Sequence, residues 1–294
     1  MSRENASGHP RNLQSRSVLA GQAAAAAAEV ENALAPEPDL EAAAFFDVDN
    51  TIMQGASIFH LARGLHRRKF FTTGDIAKGM WQQAYFRIAG IEDPEHIAKA
   101  RAKGLSFIEG HTVAELEEVG EEIFDENMAH KIWPGTRALA QQHLDRGQRV
   151  WLVTAAPVEI ANTIARRLGL TGALGTVSEH IDGVYTGQLV GEMLHGEGKA
   201  VAVNAIAERE KLDLSRCYAY SDSHNDLPML SLVGHPCAVN PDKRLRSYAK
   251  AQGWQIHDYR TGRKVAVAGG KAALTVGVAG GTWRAIQLIR SRVR

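Results

Sequence analysis

Residues 42–51 read AAAFFDVDNT, so that five apolar side chains run directly into two carboxylates. An apolar run that ends so abruptly predicts a strand buried on both faces of a sheet. Because side chains at positions i and i+2 of an extended segment point the same way, Asp47 and Asp49 are expected to share one face at the end of that strand. Close carboxylates repel each other unless a cation joins them, and Mg²⁺ prefers such oxygen ligands. The alternative is a capped turn in which Asp49 or Thr51 is the N-cap of the next helix.

Strand and helix patterns alternate after Trp133-Pro134-Gly135, which ends the preceding helical segment. Alternating β and α units predict an α/β fold, with a mostly parallel, Rossmann-like sheet and helices on both of its faces. Ligands of such sheets bind beyond the carboxyl ends of the strands. The predicted elements are a helix at 135–146 ending at Gly147, a strand at 150–153, a helix from Pro157 to about Leu168, a hairpin at 179–189 with its turn at Asp182-Gly183, a helix at 199–210, a strand at 217–220, a helix after Asp226 and a strand at 237–239.

The segment between the first two strands lacks strong strand patterns, and we predict a helical cap inserted there, over residues 58–130. Two apolar stripes with the spacing of one helix face support this prediction. They consist of Ile58, Leu61, Ala62 and Leu65 in the first helix and of Val113, Leu116, Val119 and Ile123 in the second. The core would then comprise residues 41–57 and 131–260. It would be flanked by a disordered N-terminal tail over residues 1–40 and by a basic, apolar C-terminal tail over residues 261–294.

Further polar residues fall at predicted strand ends and helix starts. Thr154 ends the second strand just before the predicted helix start at Ala155-Ala156-Pro157. Its hydroxyl and the free backbone amides there would form an anion site, and plain N-capping is the alternative. Lys199 opens a helix after Gly196-Glu197-Gly198, in a setting that does not match the P-loop pattern.

The last polar group follows the strand that ends at Tyr220. Its carboxylates, Asp222 and Asp226, lie four positions apart with Asn225 between them. Because carboxylate and amide oxygens are ligands that hard cations prefer, this pattern favours a metal site over a plain turn.

In chain order, the polar groups are Asp-x-Asp-x-Thr at 47–51, Thr154, Lys199 and Asp-x-x-Asn-Asp at 222–226. This order resembles the four motifs of the haloacid dehalogenase superfamily, each at a predicted strand end or helix start. The helical insertion after the first motif is similar to the cap of the phosphoserine phosphatase-like branch. The resemblance covers roughly residues 42–240, and it implies an Mg²⁺-dependent phosphomonoesterase that works through an aspartyl-phosphate intermediate.

The resemblance also implies roles for the carboxylates. Asp47 would attack phosphorus, and Asp49 would protonate the leaving alcohol and then activate water. Mg²⁺ would be held by the carboxylates of Asp47 and Asp222 and by the backbone carbonyl of Asp49.

The same resemblance assigns the remaining motif residues to the phosphate. Thr154 and Lys199 would neutralise and hold the phosphoryl oxygens, and Asn225 would reach the phosphate. Asp226 would position Lys199 or a water molecule bound to the metal.

The substrate that the family resemblance implies is O-phosphoserine, which would be hydrolysed to serine and phosphate. Phosphoserine phosphatases have a glutamate nine residues after the nucleophile for the ammonium group of the substrate, and here that position is Ala56. Because an unpaired buried ammonium is costly, another residue would have to serve, or the substrate is a different small or lipid-derived phosphomonoester, such as a lysophospholipid phosphate. The alternative from another class is a membrane-associated, non-enzymatic interaction protein with the same fold.

Composition and charge exclude several classes of protein. The 294 residues are 45% hydrophobic and 23% charged, which excludes a wholly disordered chain, a collagen and a coiled-coil rod. A net charge of +1, with no recognition module beside it, predicts no nucleic-acid partner. Two cysteines, and no apolar stretch long enough to span a bilayer, predict a cytoplasmic protein.

The C-terminal tail has its own pattern. Residues 262–294 contain seven Lys or Arg and no acidic residue. An apolar segment with a basic flank can lie on an anionic membrane surface, so we predict peripheral membrane contact through this tail. A loosely packed tail is the alternative, and the sequence leaves the oligomeric state open.

Overall fold

The computed structural model of the protein describes residues 17–24, 38–70 and 108–260. The chain divides into two units, Met1–Asp39 and Leu40–Arg294. In the first unit, residues 17–24 form a helix whose residues are exposed. The predictions for most of the N-terminal tail, for the middle of the helical insertion and for the C-terminal tail with its membrane contact fall outside the described residues.

The second unit is built on a six-stranded parallel sheet in the order β3-β2-β1-β6-β7-β8. The first strand lies between β2 and β6, at the centre of the sheet. A separate antiparallel hairpin, β4-β5, lies outside this sheet. The strands are β1 (Ala43–Phe46), β2 (Arg149–Pro157), β3 (Gly172–Thr176), β4 (Ser178–Ile181), β5 (Val184–Leu189), β6 (Tyr218–Ser221), β7 (His235–Val239) and β8 (Gln255–His257).

Seven α-helices of this unit are described. They are α1 (Ser57–Arg67), α2 (Val113–Ile123), α3 (Pro134–Asp145), α4 (Val158–Leu168), α5 (Glu197–Glu210), α6 (Leu227–Leu230) and α7 (Lys243–Gln252). A π-helical turn, Phe124–Met128, and a 3₁₀ turn, Ala129–Lys131, continue α2. Within the part of the chain that the structure describes, no helix is long and apolar enough to cross a membrane.

Each face of the sheet is covered by its own hydrophobic cluster. Ala44 and Phe46 of β1 belong to one cluster, together with buried residues of α1 to α4, whereas Ala43 and Phe45 belong to the other, with residues of α5 to α7. All four strand residues are fully buried, and burial of each phenylalanine stabilises the fold by about 1.5–3 kcal/mol. These observations confirm the predicted α/β fold, and α1 and α2 confirm the helical insertion after the first strand.

Local predictions were wrong at two places. Ile58 is 40% exposed, and the buried face of α1 consists of Ser57, Leu61, Gly64 and Leu65 instead. The strand β2 continues through Thr154 to Pro157, so that Ala155-Ala156-Pro157 is strand and not the helix start that was predicted to follow Thr154, and α4 begins at Val158, one residue after the predicted Pro157.

The predicted hairpin is confirmed. Asp182 and Gly183, at its turn, have φ angles of 50° and 79°, as a two-residue turn between twisted antiparallel strands requires.

A buried polar network joins α3 to the sheet. One ring nitrogen of His143 contacts the side chain of Gln148, and the other lies 2.8 Å from the hydroxyl of Tyr220. Burial lowers the pKa of His143 below its ordinary value of 6.5, against an opposing contribution from the Gln148 contact. The imidazole is therefore neutral in the folded protein at neutral pH.

We expect His143→Gln to change how stability depends on pH. Because the folded pKa lies below the unfolded one, the unfolded chain binds more protons at this residue, and His143 weakens the fold as pH falls through about 6.5. Glutamine does not titrate, so the free energy of unfolding of wild type minus that of the variant should decrease between about pH 8 and pH 5.5. Urea unfolding of both proteins measures this, since the subtraction removes carboxylates common to both. A difference that stays constant would contradict the lowered pKa.

Candidate active site

The site is built around the residue that follows β1. The backbone N–H of Asp47 donates to the carbonyl of Tyr220 at 2.9 Å, which extends the pairing of β1 with β6 by one residue. The carboxylate of Asp47 therefore lies at the carboxyl edge of the central strands. Asp47 is buried.

A lysine from α5 reaches this carboxylate. Gly196, with a φ of 54°, precedes α5, and Lys199 lies in the first turn of the helix. Its side chain is 4% exposed, and its ammonium donates to Asp47 Oδ1 at 2.6 Å and to Asp226 Oδ2 at 2.8 Å. The hydroxyl of Ser221 donates to the same Asp226 oxygen at 2.7 Å. Three polar segments that are distant in the sequence thus meet at the ammonium group of Lys199.

The charges of this cluster are strongly coupled. Burial raises the pKa of Asp47 to about 6, although the ammonium of Lys199 opposes the increase. For Lys199, burial lowers the pKa, but Asp47 and Asp226 outweigh this and raise it overall. At neutral pH the cluster is therefore an ion pair, with Asp47 ionised and Lys199 protonated.

Asp49 is held by the beginning of α1. Its Oδ1 accepts a hydrogen bond from the backbone N–H of Ser57 at 2.8 Å and another from the Ser57 hydroxyl at 2.6 Å. The intervening turn needs left-handed backbone at Asn50 and Gly55, with φ angles of 58° and 81°. Asp49 thus shares the edge of the sheet with Asp47, but its carboxylate is turned to the helix.

Asp222 follows β6 and is half-buried. Its backbone carbonyl accepts a hydrogen bond from the N–H of Asp242 at 2.8 Å, and the Asp242 carboxylate accepts one from the N–H of His224 at 3.0 Å. Burial, and then the charges of Asp47 and Asp226, raise the pKa of the Asp222 carboxyl to about 8. The carboxylates around Asp222 thus outweigh Lys199 in their effect on this pKa.

The neighbouring carboxylates bear on whether these residues could hold a metal ion. Asp47 and Asp222 raise each other's free energy when both are ionised, and a divalent cation between them would remove that cost. Over residues 38–70 and 108–260, no group of three His, Cys, Asp or Glu side chains is arranged to hold a metal. The donor set predicted from the family resemblance has only two carboxylates, with the backbone carbonyl of Asp49 as the third donor, and it stays a prediction; the Asp49 side chain is directed to Ser57. Mg²⁺ accepts such a set, since it usually keeps several waters and phosphate oxygens.

Two of the residues predicted to bind phosphate differ in their surroundings. Thr154 is buried, and its hydroxyl accepts a hydrogen bond from the backbone N–H of Ala156 at 3.1 Å within β2, not at a helix start. Asn225 is exposed. Its backbone carbonyl lies 3.7 Å from where a Cβ on Gly196 would be, which places it beside the start of α5. The phosphate contacts of both residues stay predictions.

Sequence reasoning did not find the supporting residues. Ser57 contacts Asp49, and Ser221 contacts Asp226. Asp242 holds the loop of Asp222 through its backbone N–H and its carboxylate. Ser221 directly precedes the fourth motif, as the last residue of β6, and could have been suspected there. Asp242 lies on a later loop, where only its position as N-cap of α7 was open to prediction.

Comparisons with known proteins identify the family of the chain. A family model described as haloacid dehalogenase-like hydrolase matches residues 44–231. The chain is 59% identical over 251 residues to the protein named phosphoserine phosphatase SerB1 of Mycobacterium tuberculosis, a match that covers 85% of this chain and 82% of that protein. The family match confirms the resemblance drawn from the four motifs.

Solved structures are also similar. A protein of unknown function from Bordetella pertussis has a TM-score of 0.65 at 31% identity, covering 74% of this chain and 98% of that chain. A phosphoserine phosphatase in its apo form has a TM-score of 0.52 at 20% identity, covering 76% of this chain and 97% of that chain. The second of these similarities concerns the fold alone.

Proposed function

The chain belongs to the haloacid dehalogenase-like hydrolases and is a phosphomonoesterase, and we propose that it hydrolyses O-phosphoserine in two steps through Asp47 with Mg²⁺ as cofactor. The observation that carries the chemistry is the buried cluster of Asp47, Lys199 and Asp226 at the carboxyl edge of β1 and β6. The observation that favours the substrate is the 59% identity to the relative named phosphoserine phosphatase SerB1.

In the first step, an oxygen of the Asp47 carboxylate attacks phosphorus. A bond forms between that oxygen and phosphorus, and the bond from phosphorus to the serine oxygen breaks with its electron pair going to that oxygen. Protonated Asp49 gives its proton to the leaving oxygen, so that serine departs as a neutral alcohol. Lys199 faces the attacking carboxylate, where it also neutralises charge on the phosphoryl oxygens.

In the second step, water replaces Asp47. The Asp49 carboxylate takes a proton from the water, whose oxygen then attacks phosphorus. The bond between Asp47 and phosphorus breaks, and the products are phosphate and the regenerated Asp47 carboxylate. Asp49 thus serves first as the general acid and then as the general base. Catalysis of this kind typically accelerates a reaction by about 10²–10⁴-fold.

The proposed donors for Mg²⁺ are the carboxylates of Asp47 and Asp222 and the carbonyl of Asp49. When bound, the ion supplies positive charge that offsets the charge on the phosphoryl group. Asp226 accepts hydrogen bonds from Lys199 and Ser221, so we assign it to holding the lysine in place.

The choice of alcohol depends on the start of α1. Ala56 is the N-cap of this helix and has no polar side chain with which to receive an ammonium group. A substrate amine would therefore need another carboxylate. The second candidate is for that reason another small or lipid-derived phosphomonoester, hydrolysed by the same Asp47 chemistry.

A panel of phosphomonoesters tests the proposal. We expect hydrolysis of O-phosphoserine with Mg²⁺, with kcat/KM at least about tenfold above that for lysophosphatidate or 4-nitrophenyl phosphate, and loss of activity when EDTA removes the metal. Restored activity on adding Mg²⁺ back controls for unfolding by the chelator. A preference for another ester would be compatible with the mechanism but would refute O-phosphoserine as the substrate. Full activity in EDTA would refute the requirement for Mg²⁺.

A further inference from the structure

We propose that Ser57 is a positioning residue that aims the acid–base carboxylate of Asp49 at the leaving oxygen. The inference rests on the proposed function, since it assumes that Asp49 transfers the proton. It adds a residue outside the four motifs and ties the proton transfer to the first helix of the insertion.

The contact between the two side chains is part-buried, with the serine on the buried side. Ser57 is 0% exposed, and its hydroxyl lies 2.6 Å from Asp49 Oδ1. That length is typical of a short, strong hydrogen bond from a hydroxyl to a carboxylate oxygen. The backbone N–H of Ser57 donates to the same oxygen at 2.8 Å. Over residues 38–70 and 108–260, no group donates to Oδ2 of Asp49, so the two oxygens are in different environments.

The beginning of α1 explains why the carboxylate is held there. The first amides of a helix need acceptors, and a residue at the N-cap commonly supplies one. Ala56 occupies this position and makes no side-chain cap. Asp49, seven positions earlier, supplies the acceptor instead, and its negative charge is also favourable at the positive end of the helix dipole.

The helix itself is firmly anchored. Leu61 and Leu65 of α1 are buried in the cluster that covers one face of the sheet. A Cβ on Gly64 would lie 2.4 Å from Ile123 of α2, so the two helices are in close contact. Ser57 therefore offers Asp49 a fixed partner rather than a mobile one.

In this arrangement the two oxygens of the Asp49 carboxylate have different roles. Oδ1 is occupied by Ser57, and Oδ2 is left to carry the proton toward the substrate. Without the hydroxyl, the carboxylate keeps one backbone hydrogen bond and gains freedom to rotate. A small misplacement of a catalytic group lowers the reaction rate. The loss of rate should therefore be largest for esters whose leaving group must be protonated.

The leaving group separates this role from a merely structural one. An alkoxide leaves poorly without a proton, whereas 4-nitrophenolate leaves well without one. A serine that only capped α1 would alter both reactions alike. A serine that aims Asp49 would alter the alkyl ester alone.

The experiment compares Ser57→Ala with a matched control, Ser178→Ala. Ser178 is also buried, and its hydroxyl has no hydrogen-bond partner among the described residues. The readout is kcat/KM with Mg²⁺ for two esters, 4-nitrophenyl phosphate and the alkyl phosphate of the panel that wild type hydrolyses fastest, because kcat/KM reports the steps through release of the alcohol. For Ser57→Ala we expect a loss of about 10- to 100-fold with the alkyl ester and of less than about threefold with the aryl ester. Ser178→Ala should change neither.

Two further variants complete the test. Ser57→Thr keeps the hydroxyl and should restore the alkyl activity. In an Asp49→Asn background, Ser57→Ala should add no further loss, because the group that it aims is gone. Equal losses with both esters, or none, would overturn the role of Ser57 while leaving phosphatase activity intact. Absence of activity in wild type toward every ester would instead refute the proposed function.

Discussion

Asp47→Asn should reduce phosphomonoesterase activity by about 10³-fold or more, because it removes the proposed nucleophile of a covalent path. Asparagine keeps the shape of the side chain, and Lys199 retains its 2.8 Å hydrogen bond to Asp226. The fold should therefore persist while the first chemical step is lost. The measurement is kcat for 4-nitrophenyl phosphate with Mg²⁺, taken together with the melting temperature of each protein.

Covalent labelling identifies the nucleophile directly. Asp49→Asn is the matched control, since it changes the other carboxylate of the same motif and keeps Asp47. After an acid quench during turnover of a radiolabelled phosphomonoester, wild type should carry phosphate on the peptide that contains Asp47. Asp49→Asn should accumulate more of it, because the base that activates water is missing, and Asp47→Asn should carry none. Label on a different peptide, or near-normal activity of Asp47→Asn, would refute the assignment.

The placement of these carboxylates was predictable because it follows from a buried strand. Phe46 of β1 pairs with Tyr220 of β6, so the residues just beyond both strands lie at one edge of the sheet. An apolar run that ends in Asp47, and another that ends before Asp222, are enough to predict that proximity. Lys199 follows no strand, and its place was predicted from the family resemblance alone.

The contact between Asp49 and Ser57 could not be predicted from periodicity. It depends on a turn in which Asn50 and Gly55 both have positive φ angles, and several turns are compatible with the same residues. The prediction of which face of α1 is buried was wrong for a related reason. Its small residues Ser57 and Gly64 face inward, and a Cβ on Gly64 would lie 2.4 Å from Ile123, so apolar spacing alone points to the wrong face.

Edge strands were missed because they carry weak patterns. The strand Gly172–Thr176 contains two glycines and is mostly half-buried, and Gln255–His257 has only three residues. Neither has the apolar run of a central strand, and each is defined by a single neighbouring strand. The centre of the sheet, where the site lies, is thus the part that hydrophobic pattern specifies best.

Lys199→Met should lower both activity and stability. Removing one partner of a buried ion pair costs about 3–5 kcal/mol, because the remaining charge stays buried without compensation. Here two carboxylates, Asp47 and Asp226, lose the same ammonium. Loss of the charge that faces the phosphoryl group should also reduce kcat by about 10²–10³-fold. Urea unfolding in EDTA measures the first effect, and Lys250→Met, an exposed lysine on α7, is the matched control.

The dependence of the stability loss on pH would identify the buried carboxylates as its cause. Without Lys199, the pKa of Asp47 should rise above its value of about 6, further from its ordinary 3.8. A carboxyl whose folded pKa is raised stabilises the fold below its unfolded pKa and loses that contribution as pH rises through its folded pKa. The stability deficit of Lys199→Met should therefore be small near pH 4 and grow above pH 6. Adding Asp47→Asn should recover part of the stability at neutral pH, because it removes one of the two uncompensated charges. A deficit that is independent of pH, and that Asp47→Asn leaves unchanged, would mean that lost packing of the lysine side chain, not charge, destabilises the protein.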